Sequence, residues 1–74
     1  MDKDKLKWII KSYMCLNRIN SWKELARLSG IKYTTLKEHL DNPGKLRLFE
    51  LQILDELLKF DEQDLLELVR GAGT

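Results

Sequence analysis

Apolar residues in this chain recur every three to four positions in five short segments, and no stretch alternates apolar and polar in steps of two. The first spacing lines one face of a helix, and the second would line one face of a strand. The pattern therefore restricts the chain to an all-α fold. Leu6, Ile9, Ile10, Tyr13 and Met14 make the first stripe, in a helix expected from about Lys3 to Leu16. Asp2 and Asp4 stand at its amino end, where the helix dipole favours carboxylates. Asn17 to Asn20 then form a connection.

The remaining helices are marked by their stop and start signals. Ser21-Trp-Lys-Glu24 is a capping-box pattern: the serine hydroxyl can accept an amide proton three residues on, and the glutamate can reach back. The helix it opens carries Leu25, Ala26 and Leu28 inward and ends at Gly30, which tolerates a left-handed backbone. A short third helix is expected from Tyr33 to Asp41, closed by Asn42-Pro43-Gly44, since Pro43 disfavours helix at Asn42. A fourth spans about Arg47 to Lys59, with Leu48, Leu51, Leu54, Leu57 and Leu58 on its buried side. Asp61 to Asp64 offer an N-cap and acidic first turn to a fifth, which carries Leu65, Leu66, Leu68 and Val69 and stops at Gly71.

Seventy-four residues suffice for one domain, expected to span 1–74. A chain this short buries only roughly 60% of its unfolded surface, so its stability should be modest. Cys15 is the single cysteine and His39 the single histidine, which excludes an intrachain disulfide and a zinc cluster. Cys15 is expected to be a small buried hydrophobe and His39 a partly buried packing residue with no carboxylate partner evident. Trp8 is expected in the core or at a partner contact. No catalytic dyad or phosphate-binding glycine loop appears, so no enzyme, cofactor or small-molecule substrate is expected. No apolar run is long enough for a leader or a membrane span, and a cytoplasmic location is expected.

Net charge is +1, but its distribution is uneven. Residues 1–47 hold eleven basic and five acidic residues, and residues 48–74 hold two basic and seven acidic. A basic front and an acidic back suit a domain with one face on a polyanion.

The segment from Trp22 to Asp41, WKELARLSGIKYTTLKEHLD, places a capped helix and a second helix on either side of a glycine-containing turn, which is the definition of a helix-turn-helix. Ala26 is small enough for the two helices to approach. Ile31 and Leu36 anchor the second helix. Leu25-Ala26, Gly30-Ile31 and Leu36 together resemble the lambda-repressor-like (Cro-type) helix-turn-helix family. Asp41-Asn42 before a glycine turn and Asp61-Glu-Gln-Asp-Leu-Leu are similar to later parts of that fold. The resemblance covers residues 1–70 and implies a compact five-helix domain that binds double-stranded DNA, usually as a homodimer. Members are mostly phage repressors, bacterial regulators and antitoxins. This chain departs from the pattern at Trp22, where the family often has Gln, at Lys32, where it has Ser or Thr, and at His39, which is usually apolar.

At about 100° per residue, Thr34 and Glu38 lie opposite Leu36 and Leu40 on the third helix, with Lys37 and Asp41 beside them. Tyr33 borders the core by periodicity and points into the groove by family pattern. Candidate base contacts are thus Tyr33, Thr34, Lys37 and Glu38, since the first residues of such a recognition helix reach base edges. Candidate phosphate contacts are Ser21, Trp22, Lys23 and Lys32 on one side and Asn42, Gly44, Lys45 and Arg47 on the other. Leu65, Leu66, Leu68 and Val69 are the candidate dimer interface. The expectation is a transcriptional regulator, a repressor or Cro-like switch. The alternative is a protein-interaction module on the same fold, such as a phage-encoded inhibitor or adaptor, which the near-neutral charge favours.

Overall fold

The structure is a computed structural model, and it describes residues 2–71. Five helices follow in order: α1 (Lys3–Leu16), α2 (Trp22–Ser29), α3 (Tyr33–Asp41), α4 (Leu48–Leu58) and α5 (Glu62–Gly71), with one 3-10 turn, Pro43–Lys45. There is no strand among the described residues. The all-α, five-helix architecture expected from the spacing is what the chain adopts.

The caps explain where the helices begin. Asp2 accepts the Asp4 amide at 3.0 Å to open α1. The Ser21 hydroxyl accepts the Glu24 amide at 3.1 Å, so Ser21 is the N-cap and α2 begins one residue later. Glu24 reaches back to the Asn20 amide, one residue before the cap, at 3.4 Å. Asp61 accepts the Asp64 amide at 2.8 Å and starts α5. The α3 N-cap, Lys32, has no side-chain cap. Gly30 closes α2 at φ 75°, in the left-handed region that a Cβ disfavours. Lys59 closes α4 in that region at φ 57°.

One core joins all five helices. Leu6, Ile10 and Met14 of α1 meet Leu25 and Ala26 of α2, Leu36 and Leu40 of α3, Leu51, Leu54 and Leu58 of α4, and Leu68 of α5. Leu46 and Phe60 close it between helices. The Tyr13 ring meets Phe60 edge-on at 4.9 Å, and its hydroxyl donates to Asp64 while accepting the Asp61 amide. These contacts tie α1 to the start of α5.

Several residues expected inside lie outside. Trp8 is 70% exposed, and Cys15 is a free, exposed thiol. Trp8 falls two residues and Cys15 nine residues after the buried Leu6, which turns both to the opposite side of α1. Leu28 and Leu48 are exposed rather than buried. Leu57 is half-buried at the core edge. A helix of two or three turns buries one stripe, and these leucines sit at or beyond its margin.

Candidate nucleic-acid interface

The segment Trp22 to Asp41 holds α2 and α3. α2 and α3 are joined by three residues, Gly30 to Lys32, and pack on each other. Leu25, Ala26, Leu36 and Leu40 bury their shared inner side, and Ile31 is half-buried against it. With that side committed to the core, α3 turns Thr34, Lys37 and Glu38 to solvent. The acidic α4 and α5 do not cover them.

Tyr33 is half-buried and packs against the core. Its ring lies beneath two ammonium groups: Lys23 Nζ at 5.5 Å and Lys37 Nζ at 5.9 Å from the centroid. This distance is within reach of cation–π attraction. Tyr33 thus gathers a lysine from each helix of the motif at one end of the α3 surface. On its two sides lie shallow depressions of about 520 and 430 Å³. The larger runs past Trp22, Ser21, Cys15 and Lys11, and the smaller past Arg27 and Lys32.

The other end of the surface is shaped by the turn after α3. Asn42 Nδ2 donates to the Glu38 carbonyl at 3.1 Å, and the Asn42 carbonyl accepts the Lys45 amide at 2.8 Å. The turn is thereby fixed to the helix. Lys45 Nζ reaches back to Glu38 Oε1 at 2.8 Å, and both side chains are 56% exposed. This pairing holds the Glu38 carboxyl below its ordinary range. Asp41, on the same helix, is hydrogen-bonded by Lys7 of α1, which holds its carboxyl below the ordinary range, with smaller help from Lys3 and Lys37. Both carboxylates of α3 are therefore matched by lysines from other elements. Lys23, Lys32 and Lys37 remain as exposed positive groups around the motif.

The candidate phosphate contacts flank this surface in two groups. Lys23 and Lys32 are exposed, Trp22 is half-buried, and the Ser21 hydroxyl is engaged as the α2 cap. Asn42, Gly44, Lys45 and Arg47 are exposed.

The candidate dimer interface needs correction. Leu68 is 0% exposed and belongs to the core of the single chain, so it offers nothing to a second copy. Leu65 and Val69 are half-buried against the same core. Only Leu66 stands well out, at 48%. The longer-exposed apolar side chains lie elsewhere, at Trp8, Leu16, Leu48 and Phe49.

Several relationships were not visible in the sequence. His39 has a carboxylate partner after all, in Glu50 of α4. Asp41 pairs with Lys7, thirty-four residues away. Tyr33 carries Lys23. Only Glu50 had a local signal, since it stands three residues after the α4 N-cap and accepts the Arg47 amide at 2.9 Å.

Among the described residues, no group of three His, Cys, Asp or Glu side chains is arranged to hold a metal ion, and no helix is long and apolar enough to cross a membrane. Comparisons with protein-family models, with curated proteins and with solved structures found no match.

Proposed function

We propose that this protein is a sequence-specific double-stranded DNA-binding regulator that lays α3 in the major groove. One observation carries the reading: the outer side of α3, with Thr34, Lys37 and Glu38, is open to solvent, and exposed lysines border it at both ends. A helix of this kind, backed by a second across a short turn, fits the width of a B-DNA major groove. Thr34 offers a methyl and a hydroxyl to base edges, and Lys37 offers a donor to guanine or phosphate. Lys23 and Lys32 on one side and Lys45 and Arg47 on the other suit the two phosphate backbones that bound the groove. The resemblance to the Cro-type helix-turn-helix family points the same way. A homodimer would place two such helices about 10 base pairs apart.

The exposed Trp8 and Leu16 on α1 favour a second reading, a protein-interaction module on this fold. Duplex binding measured against salt separates the two. A DNA binder loses affinity log-linearly as salt rises, and Lys45→Ala with Arg47→Ala weakens it on every sequence and flattens the slope. Binding that is absent at low salt, or indifferent to salt, rejects the DNA reading.

A further inference from the structure

We infer that the Glu38–Lys45 ion pair is an exchangeable latch on the α3 surface: a DNA phosphate takes the Lys45 ammonium, and the released Glu38 carboxylate accepts the N4 amino group of cytosine. This rests on the DNA-binding reading and adds to it a specificity-determining residue and the step that arms it.

The geometry leads to the exchange. Glu38 follows Thr34 by four residues and shares its side of α3, so whatever Thr34 meets in a groove, Glu38 meets one turn further on. Lys45 spans from the adjoining turn to the Glu38 carboxylate at 2.8 Å. The backbone of that turn is held by Asn42 through bonds to Glu38 and Lys45, so only the two side chains must move. Their pairing is open to water and salt, which makes it among the weakest kinds of ion pair. A phosphate offers the same ammonium an equivalent anionic acceptor within a field of like phosphates. The lysine gains a partner while the carboxylate loses one.

An ionised carboxylate can only accept hydrogen bonds. Of the major-groove edges, guanine presents two acceptors and thymine an acceptor and a methyl. Adenine sets its amino donor beside the N7 acceptor, and cytosine alone presents an amino donor without a purine N7 on the same base. Glu38 thus selects cytosine and repels guanine and thymine. In the free protein Lys45 covers the carboxylate, so the latch also keeps an unpaired negative charge off the surface during encounter.

The test uses the full chain, Glu38→Gln and Lys45→Met, each checked for helicity, against a random duplex library and then against duplexes varied at single positions. The exchange predicts that the wild type prefers cytosine at one position by roughly 5- to 150-fold, the range of a single well-made base contact. Glu38→Gln moves that preference toward adenine, whose amino and N7 groups match a carboxamide. It also tightens binding to duplexes lacking the cytosine, because Lys45 no longer has a competing partner. Lys45→Met weakens all duplexes together and lowers the salt slope by about one. If duplexes bind but Glu38→Gln leaves the base preference unchanged, or weakens binding on every sequence alike, the latch is overturned while the DNA reading stands. If no duplex binds the wild type at low salt, both fall.

Discussion

His39 Nδ1 lies 2.9 and 3.0 Å from the two carboxylate oxygens of Glu50, and this contact fastens the recognition-helix candidate α3 to α4. Glu50 is nearly sealed from solvent, with a side chain 3% exposed, and His39 is 16% exposed. The same carboxylate accepts the Arg47 amide at the head of α4. No buried side-chain polar atom is left without a partner among the described residues.

Removing one half of this contact should therefore be costly. His39→Ala takes one hydrogen-bond partner from a buried carboxylate, and leaving such a group short of a partner costs about 1–3 kcal/mol. Adding Glu50→Gln to it should recover part of the loss, because a neutral amide is less penalised and still accepts from Arg47. Urea unfolding of the two single variants and the double variant measures this. Additive losses would show that the two residues act separately.

Backbone strain makes a paired prediction at two helix ends. Gly30→Ala meets no atom within 4 Å of the added Cβ, so its whole effect is the left-handed backbone, a loss of about 1–2 kcal/mol. Lys59 already stands at φ 57°, and Lys59→Gly should gain up to about 1 kcal/mol. Thermal unfolding should move in opposite directions for the two.

Much of this architecture was legible in the sequence. Ser21 and Gly30 fixed the limits of α2, and the limits of α3 follow from Gly30 and Pro43, because caps and turn residues act locally. Thr34 and Glu38 were readable as surface residues because they oppose Leu36 and Leu40 on one helix. Trp8 and Cys15 lie outside the core because angular position, not residue type, decides burial along α1. His39 with Glu50 and Asp41 with Lys7 were beyond reach, since only the packing of separate helices brings them together. The Lys45 contact on Glu38 lies across a turn whose 3-10 geometry the sequence did not specify.

The correction at Leu68 has its own test. Leu68→Ala should destabilise the monomer by about 2–5 kcal/mol, as for other leucines in a packed core, at any protein concentration. Trp8→Ala should stay within about 0.5 kcal/mol of the parent, since its side chain is mostly in water. A Leu68→Ala loss that vanished on dilution would return Leu68 to an interface.

Asp41 and Tyr13 each set a pH limit. The hydrogen bond from Lys7 keeps the folded Asp41 carboxyl below the ordinary range, so its contribution is complete above the unfolded value of about 3.9 and fades as pH falls through the lower folded value. The hydrogen bond to Asp64 is the main cause that raises the Tyr13 phenol above 10, opposed by the Asp61 amide. Its contribution is complete below the unfolded value and is lost as pH rises through the folded one. Lys7→Met should return the Asp41 carboxyl toward its ordinary range in an NMR titration, and Tyr13→Phe should remove that residue's alkaline limb from the stability profile. An Asp41 titration unchanged in Lys7→Met would show that the contact is not made in solution.

The most direct test of the central claim is an NMR titration of the labelled chain with a selected duplex. The account predicts that the largest shifts fall on Thr34, Lys37 and Glu38 and on the flanking residues Lys23, Lys32, Lys45 and Arg47. Shifts confined to the Trp8 and Leu16 side of α1 or to α5, with α3 unmoved, would contradict it.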